Sequence, residues 1–173
     1  MKNQLTESAS RRLFLKTSGM FLGGMPLGWN LFLKSFNSKI MTAVEPLKPE
    51  LVKEFVANAH GNLDKVKELL EQAPGLLNSA WDWGNGDFET GLNAAGHVGR
   101  SDIAEFLLSK GARMDLFCAT MLGRMDIVKP ILDFKPDLKS SKGPHGLALL
   151  HHAEKGGEKA REVLEYLKAI GAS

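Results

Sequence analysis

Hydrophobic and polar positions repeat along residues 49–173. Gly61-Asn62-Leu63-Asp64 leads into Val66, Leu69 and Leu70. Gly99-Arg100-Ser101-Asp102 leads into Ile103, Ala104, Leu107 and Leu108. Gly123-Arg124-Met125-Asp126 leads into Ile127, Val128, Ile131 and Leu132, and a looser copy follows Gly156-Gly157. Offsets of four, five, eight and nine from each glycine make one apolar stripe on a helix. Each glycine, free to take φ > 0, is expected to close one helix before the next begins. Asp64, Asp102 and Asp126 fall in the first turn of that next helix, where the helix dipole favours an anion. A second helix precedes each glycine. One such helical hairpin cannot bury its own stripe, whereas stacked copies bury theirs against each other. The pattern predicts an all-α solenoid of about four helix-turn-helix repeats, over roughly 49–78, 79–113, 114–139 and 140–173, with the first and last as caps.

The second copy is the most specific. Thr90-Gly91-Leu92-Asn93-Ala94-Ala95-Gly96-His97-Val98-Gly99 resembles the ankyrin signature T-P-L-H-x-A-A-x-x-G, with Gly91 in the proline place and Asn93 in the histidine place. Leu107-Leu108-Ser109-Lys110-Gly111-Ala112-Arg113-Met114-Asp115 resembles the family's L-L-x-x-G-A-D ending, and Ile170-Gly171-Ala172 closes the fourth copy. The resemblance implies a non-catalytic protein-binding solenoid that presents loop tips and first helices to its partner. The spacing departs from the family's ~33 residues: the glycine steps are 38, 24 and 34 residues, from 61 to 99, 123 and 157. The short step runs Met114 directly into a helix over Leu116–Leu122. Two extra residues follow Gly157. Pro130 lies inside a helix, where it removes a donor and is expected to kink the first turns.

Charge separates the N-terminus from the rest. Residues 1–43 hold six Lys/Arg and one Asp/Glu, a net of +5, and residues 44–173 hold 16 and 19, a net of −3. The whole-chain value of +2 is too small to argue for nucleic acid. Ser10-Arg11-Arg12-Leu13-Phe14-Leu15-Lys16 precedes a weakly apolar, glycine-rich stretch from Thr17 to Leu33. The order of charged, apolar and polar regions is that of an export signal. The block resembles the twin-arginine motif, carried by Arg11, Arg12, Phe14, Leu15 and Lys16. It implies export of a folded chain to the bacterial periplasm by the twin-arginine machinery. Residues 1–43 are expected to be a signal peptide cut after Ala43, or an uncleaved anchor that gives the only membrane contact. Residues 44–48 are then a short linker. The single cysteine, Cys118, excludes an intrachain disulfide.

Candidate chemistry is sparse. The long 38-residue step places Trp81, Trp83, Asp87 and Phe88 around the turn Gly84-Asn85-Gly86. Aromatics there resemble interface anchors. Alternatively Trp81 and Phe88 fold back to cap the first helical pair. At least one aromatic is expected to pack inward, with Trp83 the most exposed. His97 and His145 complete the expected binding rim. The histidines at 60, 97, 145, 151 and 152 invite a metal reading, but zinc needs three or four converging ligands, and His151 and His152 diverge by about 100° on a helix. Neither a metal nor another cofactor is expected. In the ankyrin resemblance His151 takes the place of a structural hydrogen-bonding histidine. Cys118 lacks a converging base and orienting group, so no catalytic residue is assigned. Lys139–Gly146 lacks the phosphate-loop spacing and reads as an interrepeat loop. The expected function is non-catalytic binding of another protein in the cell envelope. The alternative is a periplasmic metal-dependent accessory protein or enzyme using the histidines and Cys118.

Overall fold

The computed structural model describes residues 45–173, nearly all of them within the compact unit Leu47–Ser173. The export-signal residues Arg11, Arg12, Phe14, Leu15 and Lys16, and the cleavage point after Ala43, lie outside the described residues.

The domain is all-α apart from one small hairpin. Its helices are α1 (Pro49–Ala59), α2 (Leu63–Gln72), α3 (Gly91–Val98), α4 (Ser101–Ser109), α5 (Leu116–Met121), α6 (Met125–Phe134), α7 (Leu149–Gly156) and α8 (Arg161–Ala169). Strands β1 (Ala80–Asp82) and β2 (Phe88–Thr90) form the antiparallel hairpin between α2 and α3. Short 3-10 turns follow α2 and α6 and separate α7 from α8.

Consecutive helices pack as pairs, α1 on α2, α3 on α4, α5 on α6 and α7 on α8. Across pairs, α1 packs on α3, α3 on α5 and α5 on α7, and α3 also reaches α7. The repeating stripe explains this. Val66, Leu69, Ile103, Leu107, Val128 and Leu132 are all buried, each on the second helix of its pair. They enter two contiguous apolar clusters. One is centred on Phe55, Leu69, Leu92 and Ile103, the other on Val128, Leu149, Val163 and Leu167. Small residues make the close approaches: Ala94, Ala95 and Gly96 of α3 are fully buried, with the Cys118 backbone of α5 against Gly96.

Local chemistry fixes the starts of α3 and α5. Thr90 caps α3, its hydroxyl accepting from the Asn93 amide while the Asn93 side chain accepts from the Thr90 amide. This reciprocal pair satisfies two otherwise orphaned donors. The Asn93 amide group also donates to Asp115, which caps α5 through the Cys118 amide. One cap is thereby tied to the next.

Gly99 and Gly123 end α3 and α5 with φ of 82° and 68°, as expected. Neither could carry a side chain: a Cβ would meet the Lys155 carbonyl oxygen at 2.5 Å in one case and the Lys159 carbonyl oxygen in the other. Gly61 differs from expectation. It has no positive φ, because His60 ends α1 in the right-handed region and the turn needs no left-handed residue.

Two further features stand out. The 79–90 segment is a hairpin rather than a plain loop, since Trp83 and Asp87 close the turn by a backbone bond of 3.0 Å and Asn85 takes φ 57°. Helix α6 runs unbroken from Met125 to Phe134 through Pro130. Pro130 is exposed, so its ring lies on the solvent side, where water can serve the carbonyl that loses its donor.

Candidate functional site

Four segments meet at one place. They are the C-terminal end of α1 (His60), strand β2 (Glu89), the last turn of α3 (His97), and the 3-10 turn Pro144–Gly146 (His145). One ligand-type atom from each of these residues lies within 4.8 Å of every other.

The hairpin delivers the carboxylates. In β2, residues two apart share a face, so Asp87 at the turn and Glu89 in the strand point the same way while Phe88 points opposite. Trp81 pairs across the ladder with Glu89 and packs on the first apolar cluster, with the Lys53 ammonium 5.5 Å from its ring centre. Glu89 is fully buried, and Phe88 is 62% exposed.

Glu89 is held on one side by Trp83, whose indole N–H donates to Oε2 at 2.7 Å. Its Oε1 has His97 Nε2 at 2.9 Å and His145 Nε2 at 3.3 Å. Despite that proximity, no donor is aligned on Oε1. His60 Nε2 lies 3.5 Å from Oε2 and 3.0 Å from His97 Nε2. Burial pushes the Glu89 carboxyl upward. The adjacent His97 and the Trp83 hydrogen bond outweigh it, so the group stays below the usual carboxylate value.

The outer ring nitrogens of His60 and His145 are spoken for. His60 Nδ1 faces the Val56 and Ala57 carbonyl oxygens at 3.1 and 3.2 Å. His145 Nδ1 faces Asp87 Oδ2 at 2.7 Å, and the His145 amide donates to Asp87 Oδ1 at 2.8 Å. Those bonds hold the Asp87 carboxyl below its ordinary value, the His145 backbone N–H contributing most. Carbonyl and carboxylate oxygens only accept, so both Nδ1 atoms carry their protons. In their neutral forms His60 and His145 therefore turn bare Nε2 lone pairs towards Glu89. His145 takes φ 58° to do so, an uncommon conformation for a non-glycine residue.

The remaining residues of interest serve the frame. His151 Nε2 bonds the His97 carbonyl oxygen at 2.8 Å, joining α7 to α3, and His152 is buried with Nδ1 on the Ala148 carbonyl oxygen at 2.9 Å. Burial pushes the Cys118 thiol up to about 12, with Asp115 adding to the shift. It is fully buried and a poor nucleophile.

Of the residues expected to bind, Asp87, His97 and His145 come together in the cluster. Phe88 and Trp83 remain at the surface, at 62% and 38% exposure. Trp81 packs inward, as at least one hairpin aromatic was expected to, since its cross-strand partner Glu89 faces the interior. One expectation is corrected. Phe88, not Trp83, is the most exposed aromatic of the hairpin, because Trp83 is tied down by Glu89.

His60 and Glu89 had no assigned role in the sequence. The signal for His60 was weak: it lies one residue before Gly61 and His97 two before Gly99, both near the end of a first helix but not at equivalent positions. The alternation of Asp87 and Glu89 was a second signal. No family model matches the sequence, and no curated protein matches it. The chemistry is therefore read from the geometry alone.

Proposed function

We propose that this chain is a non-catalytic protein-binding module of the bacterial cell envelope. In this reading it is built of four ankyrin-type repeats and exported by the twin-arginine route. The observation that carries the proposal is the hairpin, which holds Phe88 outward at 62% exposure on a base anchored through Asp87 and His145. An apolar ring held out on a fixed support loses little conformational entropy on binding and suits the centre of an interface. Beside it lies a shallow cleft of about 380 Å³, lined in part by Phe88, Phe117, Asn93, Asp115 and Lys142.

The order of helix contacts supports the repeat reading, because each pair packs chiefly on its neighbours. The buried, high-pKa Cys118 supports a non-catalytic role. A partner would cover the hairpin tip and the cleft within a standard interface of ~1,200–2,000 Å².

The test is a crosslinked pull-down from envelope fractions with the native chain and with Phe88→Ala, whose exposed ring leaves the core untouched. A partner captured by the native chain and lost or weakened at least tenfold by Phe88→Ala is expected. Equal capture by both chains overturns the hairpin as the binding element.

A further inference from the structure

The space between His60, Glu89, His97 and His145 is short of positive charge. Glu89 is a buried carboxylate. As neutral rings, His60 and His145 present Nε2 lone pairs, because their Nδ1 protons are engaged by the Val56 carbonyl and the Asp87 carboxylate. The Trp83 N–H serves Glu89 Oε2; with the imidazoles neutral, His97 Nε2 alone of the histidines could bring a further proton inward, and it has two claimants, His60 Nε2 at 3.0 Å and Glu89 Oε1 at 2.9 Å. One proton cannot satisfy this many acceptors. The unaligned, buried Glu89 Oε1 is what that shortage leaves behind. A buried carboxylate oxygen left without a donor is destabilising, and a cation at the centre would satisfy it together with the facing imidazole lone pairs.

We propose that His60, Glu89, His97 and His145 bind one divalent d-block cation of the zinc class. The spacing suits it. Bonds of ~2.0–2.1 Å in a tetrahedron set neighbouring ligand atoms ~3.3 Å apart. The close approaches here are 2.9, 3.0, 3.3 and 3.5 Å. The outer sphere suits it as well. Ligating imidazoles characteristically donate the other ring N–H to a carbonyl or carboxylate, which fixes the tautomer and aims the ring. His60 does so to Val56 and His145 to Asp87.

Three imidazoles with one carboxylate select zinc, cobalt, nickel or copper over magnesium or calcium, which demand oxygen ligands. Four protein ligands close a tetrahedron and leave no position for substrate. The ion is accordingly a clamp. It joins α1, β2, α3 and the 143–146 turn, segments up to 85 positions apart in the sequence, and holds the hairpin in place. This site does not depend on the protein-binding reading, and either can fail alone.

The experiment uses the full chain, stripped by chelator and titrated with Zn²⁺, with Mg²⁺ as the contrast and Co²⁺ as the spectroscopic probe. One Zn²⁺ per chain at submicromolar affinity is expected, with no measurable Mg²⁺ binding and a raised melting temperature on Zn²⁺ addition. Co²⁺ should give the intense visible bands of four-coordinate nitrogen–oxygen ligation, without the sulfur charge-transfer band that Cys118 would produce. His145→Ala should lower Zn²⁺ affinity at least 100-fold. Its half-exposed turn position makes it the variant least prone to misfold. Asp87→Asn removes no ligand, and it should lower affinity 10–100-fold with stoichiometry kept. Failure of the native chain to bind Zn²⁺ overturns the proposal, as does six-coordinate Co²⁺ or unchanged affinity in His145→Ala.

Discussion

Gly91 opens α3 directly against the ring of Phe55 in α1. A Cβ built on Gly91 would lie 2.7 Å from Phe55 Cε1, 3.2 Å from Cζ and 3.4 Å from Cδ1, against an optimal carbon–carbon separation of about 3.5–4.0 Å. Phe55 is fully buried at the centre of the first apolar cluster, so its ring cannot swing into solvent. Two effects of opposite sign compete in Gly91→Ala. Alanine in place of glycine at a helical position favours folding by about 0.5–1 kcal/mol. Overpacking a tight core costs about 1–3 kcal/mol. The steric overlap outweighs the helical gain, and a net loss of roughly 1–2 kcal/mol is expected. Urea unfolding followed by far-ultraviolet circular dichroism measures it as a lower midpoint with unchanged slope. Phe55→Leu shortens the obstructing side chain, so the Gly91→Ala penalty should shrink by about 1 kcal/mol in that background, a coupling typical of residues in contact. A Gly91→Ala protein as stable as the native chain, or more so, would refute the steric account.

Pro130 leads to a gain in the opposite direction. It lies inside α6 on the solvent side, and Pro130→Ala restores a backbone donor, so stability should rise by about 1–3 kcal/mol in the same urea assay. Cys118 gives a prediction against pH. Its folded pKa is raised to about 12, so its neutral thiol contributes stability that is fully present below the unfolded value. That contribution is lost as pH rises through the window from about 9 to 12. Stability above pH 9 should fall more steeply in the native chain than in Cys118→Ala, and a thiol reagent at pH 8 should label Cys118 only after denaturant is added.

The repeat of glycine, first-turn aspartate and apolar stripe fixes where the helices lie and which faces they bury, because those depend on residues within a few positions of each other. Val66, Ile103, Leu107, Val128 and Leu132 are buried as their spacing requires, and the short step before α5 follows from the 24-residue glycine interval. The cap between Thr90 and Asn93 is local in the same sense. The His–Glu cluster is not local. Asp87 and His145 touch across 58 residues and His60 and His97 across 37. Nothing in their spacing encodes that meeting, since His60 and His97 lie at different offsets from Gly61 and Gly99. Which hairpin aromatic turns inward was equally undecided by composition. The strand register pairing Trp81 with Glu89 settles it, by placing both on the face that meets α1. Periodicity along the chain chooses helices and their buried sides. Only the stacking of those helices brings distant imidazoles and carboxylates within bonding reach of one another.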